Sequence, residues 1–173
     1  GRGMPRRALS EELPSSRLGR LLSLVRRALV PGSFGRWWGR LRGGGADAGA
    51  RGEALAARHL CDEAGYRVIV RNWRNPRDRR DEIDLVCLDG DILVFVEVKA
   101  RSALALVPGY FAVDPRKKRV LRRACKAYLR ALRPAPRTFR FDIVEVEHGM
   151  GAPIVRHFEN VPLFAKHDLP QSK

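Results

Sequence analysis

The chain has 173 residues, 45% of them hydrophobic, with 34 Lys and Arg against 19 Asp and Glu. That length suits one domain with an appendage, the apolar fraction excludes global disorder, and no run of about 18 apolar residues is present to serve as an integral membrane span. The net charge of +15, carried by 28 Arg and only 6 Lys, points to a polyanionic partner, because guanidinium grips phosphate bidentately; a GC-rich coding bias would account for the Arg:Lys ratio but not for the excess of positive charge.

Residues 1–48 hold ten Arg and three acids, and Gly43-Gly44-Gly45 ends the segment like a linker. Leu18, Leu21, Leu22, Val25 and Leu29 recur at helical spacing among Arg17, Arg20, Arg26 and Arg27, which predicts an amphipathic helix over about 15–30. The segment reads as a basic, flexible extension without a dedicated function. Two other readings are an Arg-rich transit peptide and a membrane-surface or partner-docking element spanning 15–42.

Residues 49–173 read as the compact domain. A helix is expected over Ala50 to Ala64, stopped by Gly65, then a strand over Tyr66 to Val70. Asn72 to Asp81, with Pro76 and four Arg, reads as a loop. Glu82 to Leu88 and Ile92 to Lys99 read as a hairpin about an Asp89-Gly90 turn. Asp114 caps a helix that opens on Pro115 and runs to about Leu132, and Phe139 to Val146 and Ile154 to Phe158 complete the strands. Cys61, Cys87 and Cys125 are scattered, with no C-x-x-C, which argues against a disulfide framework or a zinc site and fits a reducing, cytoplasmic setting.

Several carboxylates stand where apolar residues belong. Glu53 shares a helix face with Ala57, Leu60 and Ala64, so it either faces the sheet or complements the helix dipole from the first turn. Alternation places Ile83, Leu85 and Cys87 on one face of their strand and Glu82, Asp84, Val86 and Leu88 on the other; Leu93, Phe95, Glu97 and Lys99 share a face of the next. So apolar a strand as Ile92–Lys99 is expected to be central, and charge inside it is costly unless paired or metal-bound. A two-residue Asp89-Gly90 loop sets Asp84 opposite Phe95 with Glu97 diagonal to it, and any even-length loop keeps Asp84, Glu97 and Lys99 on one side. A plain Glu97–Lys99 or Asp84–Lys99 salt bridge is the non-chemical alternative. The chemical reading is metal-assisted phosphodiester hydrolysis: two carboxylates and a backbone carbonyl suit Mg²⁺, with Mn²⁺ as substitute, and a lysine on the same face can orient water or offset charge at phosphorus.

Asp84 followed by Glu97-Val98-Lys99 resembles the PD-(D/E)-x-K pattern of restriction-endonuclease-like nucleases. More closely, Gly49-x-x-Gly52-Glu53-Ala54-x-Ala56, Asn72-x-Arg74, Glu82-Ile83-Asp84-Leu85, Phe95-Val96-Glu97-Val98-Lys99-x-Arg101 and Arg140-Phe141-Asp142 resemble the YraN family of endonuclease-like proteins, over about residues 49–160. The resemblance implies an α/β fold with a restriction-endonuclease-like core, a mixed central sheet flanked by helices, as in archaeal Holliday-junction resolvases. There a helix glutamate, a strand aspartate and a Glu-x-Lys build the metal site, and carried over they fall on Glu53, Asp84 and Glu97 as ligands and Lys99 as the further catalytic group. The chain departs from the family in the basic extension and in Asp81, which stands where the family usually has glycine.

The second helix presents Arg116, Lys117, Lys118, Arg119, Arg122, Arg123, Lys126, Arg130 and Arg133 with no acid after Asp114. A solvated basic face is the simple reading; a polyanion relieving the mutual repulsion is the functional one. Arg74 and Arg101 from the resembling motifs join this nucleic-acid surface. Trp37 and Trp38 are candidates to stack on unpaired bases, whereas Trp73 suits the core. No zinc-finger or RNP motif is present, so the expectation is a Mg²⁺-dependent DNA endonuclease selecting structure, including branched or single-stranded regions, more than sequence. The competing class is a non-catalytic nucleic-acid-binding protein on the same fold, and both monomer and homodimer stay open.

Overall fold

The computed structural model describes residues 48–102, 114–133 and 135–164. Helix α1 (Ala48–Asp62) leads into strands β1 (Arg67–Asn75), β2 (Asp78–Asp89) and β3 (Ile92–Ser102); helix α2 (Pro115–Ala131) then crosses to β4 (Phe139–His148) and β5 (Ile154–Phe158). The five strands form one sheet in the order β1-β2-β3-β4-β5, antiparallel throughout except for the parallel pair β3–β4. The fold is therefore α/β, a mixed sheet with a helix on each face, as expected. The basic extension and its amphipathic helix lie outside the described residues, as do Trp37 and Trp38.

Two cores account for the layers. Ala56, Ala57 and Leu60 of α1 meet Leu85, Cys87, Val94, Val96, Val144 and Val146 on one face. Leu121, Ala124, Cys125 and Tyr128 of α2, with Leu132 just past its end, meet Val86, Leu88, Leu93, Phe95, Phe141 and Ile143 on the other. Leu93 to Val96 are wholly buried, so β3 is covered on both sides. Trp73 stacks edge-on against Tyr128, 5.3 Å between centroids, which places it in the core. The caps follow the sequence: Asp114 accepts from the Arg116 N–H at 2.8 Å ahead of Pro115, and Gly65 takes φ 74 where α1 ends.

Three expectations are corrected. The polar stretch over Asn72–Asp81 is not a loop: β1 and β2 continue through it to pair Asn75 with Asp78 about a two-residue turn. Because β1 is an edge strand, its outward Arg side chains reach water without breaking the ladder, and Arg74 pairs across the strands with Glu82 at 2.7 Å. The second hairpin turns on Gly90-Asp91, not Asp89-Gly90, with Gly90 at φ 54 and Asp89 paired with Ile92. That shift of register pairs Phe95 with Val86 and ends at Leu85–Val96, so Asp84 and Glu97 are the first residues beyond the ladder, at positions of the same parity. Finally, Ile83 packs on the α2 side with Val86 and Leu88, while Leu85 and Cys87 pack on the α1 side, so alternation slips at Asp84.

Asp81, the departure from the family pattern, is buried and held by Arg123 of α2, whose Nε donates to both carboxylate oxygens at 2.8 and 2.9 Å; Asn75 Nδ2 donates to it at 3.3 Å. It fastens α2 to the sheet and takes no part in the acid cluster described next. Because Arg123 can return to water and Asp81 cannot, the pair is asymmetric. Arg123→Ala, which leaves buried Asp81 with only the Asn75 amide, is expected to destabilise more than Asp81→Ala, with the double variant recovering most of the loss in urea unfolding.

Candidate active site at the fork between two strands

β2 and β3 pair only as far as Leu85 and Val96. Beyond that point β2 stays with β1 to Asp78, while β3 stays with β4 to Ser102. The sheet splits there, and the next residues on the two prongs are Asp84 and Glu97. Asn72, between the partners of Leu85 and Ile83 on β1, sits at φ 50, so the neighbouring strand bends at the same level.

Each carboxylate at the fork has a distinct environment. Asp84 Oδ2 accepts the Val98 N–H at 2.7 Å, so a side chain takes the place of the carbonyl that β2 no longer presents to β3. Burial first, and then the neighbouring Glu97 charge, push the Asp84 carboxyl up to about 7, against the stabilising Val98 bond. Glu97 is buried; its Oε1 accepts from Lys99 Nζ at 2.8 Å and lies 3.2 Å from Lys117 Nζ, while Oε2 has no hydrogen-bond partner among the described residues. Glu53 reaches the same region from α1. A Cβ on Gly52 would stand 3.1 Å from Ala100 Cβ, so the glycine lets α1 approach the far end of β3 closely. Burial raises the Glu53 carboxyl; the Asn72 amide bonded to it pulls the other way, and Glu82 and Glu97 add repulsion.

Asp84, Glu97 and Lys99 are thus brought together, with Glu53 in electrostatic range but held by Asn72. Among the described residues no three His, Cys, Asp or Glu side chains are close enough to enclose an ion. Mg²⁺ needs only one or two carboxylates, since it keeps most of its waters, and the bare, buried Glu97 oxygen beside Asp84 is the donor set such an ion takes.

Two residues of this region escape the sequence reading. Lys117, assigned to the basic face of α2, points inward to Glu97. Glu145 is buried on β4 in register with Lys99, 4.0 Å from Arg101, and its Oε1 has no hydrogen-bond partner among the described residues. A charge inside an apolar strand, the cue that singled out Glu97, was equally present at Glu145. Arg140-Phe141-Asp142 is a clasp, not a site: Asp142 accepts from the Asn160 N–H at 2.9 Å and Arg140 Nε at 3.1 Å and contacts His157 Nε2 at 2.9 Å, while Arg140 also bonds Tyr66 and Asp89. Burial alone would raise Asp142; those bonds outweigh it and hold the group below its ordinary value.

The residues expected to form a nucleic-acid surface divide by environment. Arg119, Arg122, Arg123, Lys126 and Arg130 line an open depression of about 200 Å³ along α2. Two of them have structural work as well, Arg123 on Asp81 and Arg122 donating to the Leu163 carbonyl at 2.8 Å. Arg116 and Lys118 stand in the exposed or half-exposed first turn, Arg74 is half exposed beside Glu82, and Arg101 is largely buried beside Glu145. No helix among the described residues is long and apolar enough to cross a membrane.

Residues 52–146 match the family described as Uncharacterised protein family UPF0102. A UPF0102 protein of Streptomyces coelicolor is 43% identical over 127 residues, which is 69% of this chain and 95% of the relative. One from Anaeromyxobacter dehalogenans is 43% identical over 110 residues, 64% and 79% of the two chains, and one from Chlorobaculum parvum 41% over 101 residues, 58% and 75%.

An acid whose pKa is raised on folding favours the folded state below its unfolded value, near 4, and loses that contribution as pH climbs through the folded value. Without metal, Asp84→Asn, which keeps an acceptor for Val98, is therefore expected to exceed the wild type in stability at pH 8 by at least about 1 kcal/mol, the worth of one pKa unit. The gap closes toward pH 4. Thermal unfolding of both proteins across that range checks it; a gap that stays constant with pH would show that Asp84 ionises normally.

Proposed function

The chain belongs to the UPF0102 family, the YraN family that its motifs resemble, and from that membership and the chemistry of the fork we propose that it is a metal-dependent DNA endonuclease that selects structure more than base sequence. Mg²⁺ is the proposed cofactor, with Mn²⁺ able to replace it. The observation that carries the reading is the meeting, where β2 and β3 part, of a half-buried carboxyl with a strongly raised pKa, a buried carboxylate with one oxygen unbonded among the described residues, and a lysine 2.8 Å from it.

Asp84 and Glu97 would hold the ion, with Glu53 completing its surroundings. Bound there, Mg²⁺ supplies the Lewis acidity that polarises a phosphoryl oxygen and makes a water acidic enough to attack phosphorus. Lys99 brings a donor to the same place, where it orients the attacking water and offsets the charge that builds on phosphate oxygens. The Val98 N–H fixes the Asp84 carboxylate, so the group is oriented before substrate arrives. The depression along α2 takes the phosphate backbone without reading bases, which suits selection by shape.

A second reading has its own support. Two lysines on one oxygen of Glu97 also describe a neutralised ion-pair cluster inside a non-catalytic nucleic-acid-binding protein. Incubation with linear, nicked, flapped and four-way DNA in Mg²⁺ or Mn²⁺ separates the two. The proposed activity requires cleavage that Asp84→Ala abolishes and Lys99→Ala lowers by about 100-fold with DNA affinity nearly unchanged. Binding without cleavage on every substrate would establish the second reading.

The surface is tested separately, avoiding the two arginines that hold the fold. Arg119→Ala with Arg130→Ala is expected to weaken binding equally for all sequences and flatten its salt dependence by up to about 0.9 log units per lost phosphate contact. Removal of residues 1–48 should leave measurable binding, since the remainder keeps a net charge of +8. If the truncated chain loses all affinity while the double variant binds normally, the contact surface lies in the extension.

A further inference from the structure

Lys117 stands apart from the other cations of α2. In the helix's first turn, it turns its ammonium back to within 3.2 Å of Glu97 Oε1, the oxygen that already accepts from Lys99 at 2.8 Å. One ammonium neutralises one carboxylate, and Glu97 has two, both on one oxygen, with the other oxygen buried and without a hydrogen-bond partner among the described residues. The arrangement places cationic charge from a second element where the proposed metal would bring its own. Lys117 is also the one of the two lysines anchored in the helix that carries the basic depression. Its side chain is 33% exposed, so its four-carbon stem can swing outward with no movement of the backbone.

Resting on the metal-dependent reading above, we propose that Lys117 is an internal counter-ion for Glu97 that transfers to a phosphate of the nucleic acid lying along α2, so that nucleic-acid binding tightens the hold of the Asp84–Glu97 pair on a divalent cation. Like charges a few ångströms apart repel, so the ion and the Lys117 ammonium compete for the carboxylate. A phosphate at the helix supplies the alternative partner, and coupling follows from linkage: whatever draws Lys117 from Glu97 strengthens cation binding, and the cation in turn strengthens phosphate binding by the same factor. Lys99, two residues from Glu97 on the same strand, stays in place, so the site keeps one lysine for chemistry while the other moves. The consequence is a protein that holds its metal weakly until a substrate is aligned.

Mn²⁺ binding to the full chain, followed by the paramagnetic resonance of the free ion, tests this without any turnover. Lys117→Gln and Lys117→Met are expected to bind Mn²⁺ about tenfold more tightly than the wild type, and Lys117→Arg like the wild type. Phosphorothioate duplex DNA, with its own Mn²⁺ uptake subtracted through Asp84→Asn, should tighten the wild type by a similar factor and leave Lys117→Gln unchanged. If Mn²⁺ affinity is the same in the wild type and both neutral variants, while Asp84→Asn abolishes it, the counter-ion role is overturned and the metal site stands. If Asp84→Asn binds Mn²⁺ as the wild type does, the metal reading falls and the proposal with it. Equal tightening by DNA in wild type and Lys117→Gln would overturn the transfer to phosphate.

Discussion

Everything at the candidate site follows from the point at which two strands stop pairing. A continuous β2–β3 ladder would bury Asp84 against Glu97 with no room for a third group. Because the ladder ends at Leu85 and Val96, the two prongs part and follow different neighbours, β2 with β1 and β3 with β4. The Val98 N–H exposed by the split would be costly to leave unmade, and the Asp84 carboxylate satisfies it at 2.7 Å. One interaction thus closes the end of the ladder, orients an acid and holds it beside a second acid. The slip of alternation at Asp84 and the left-handed Asn72 on β1 are the backbone's response to the same divergence.

Helix α2 links this fork to the outer surface. Its apolar stripe packs on the sheet, its first turn sends Lys117 to Glu97, and Arg123 one turn and a half further on is locked to buried Asp81. The helix is therefore pinned at two places to the two prongs of the fork, Glu97 on β3 and Asp81 on β2. Displacement of α2 would be felt at the carboxylates, and the charge of the depression is positioned by the same contacts. Arginines that looked interchangeable on a helical wheel divide into those that hold the helix and those that face solvent.

On β4, in register with Val96, a buried acid has a different purpose. Asp142 is fully buried, yet its oxygens are met by Arg140, His157 and the Asn160 N–H, and Arg140 reaches on to Asp89. Asp142 is held below its ordinary pKa and Asp84 well above, within one sheet. The difference is donors: Arg140, His157, the Asn160 N–H and the Tyr66 hydroxyl converge on the first, and one backbone N–H on the second. Satisfied burial makes a clasp, and underfurnished burial leaves an acid disposed to share a cation or a proton.

How much of this was legible beforehand depended on range. Element order, the caps at Asp114 and Gly65, the two-sided burial of β3 and the anomalous acids Glu53, Asp84 and Glu97 could be read from the chain, since each rests on local periodicity or on a charge interrupting it. The polar Asn72–Asp81 stretch could not: its composition is that of a loop, and only its place at the sheet edge makes such residues tolerable in strands. The turn was misplaced by one residue, which left parity intact because side-chain direction repeats every two residues, but Phe95 pairs with Val86 and Asp84 lies beyond the end of the ladder. The fork, the inward turn of Lys117, the Asp81–Arg123 lock and Glu145 beside Lys99 were decided by tertiary structure alone. Each depends on contacts between residues far apart in the chain, where packing, not spacing, chooses which of several equivalent charges meets a partner.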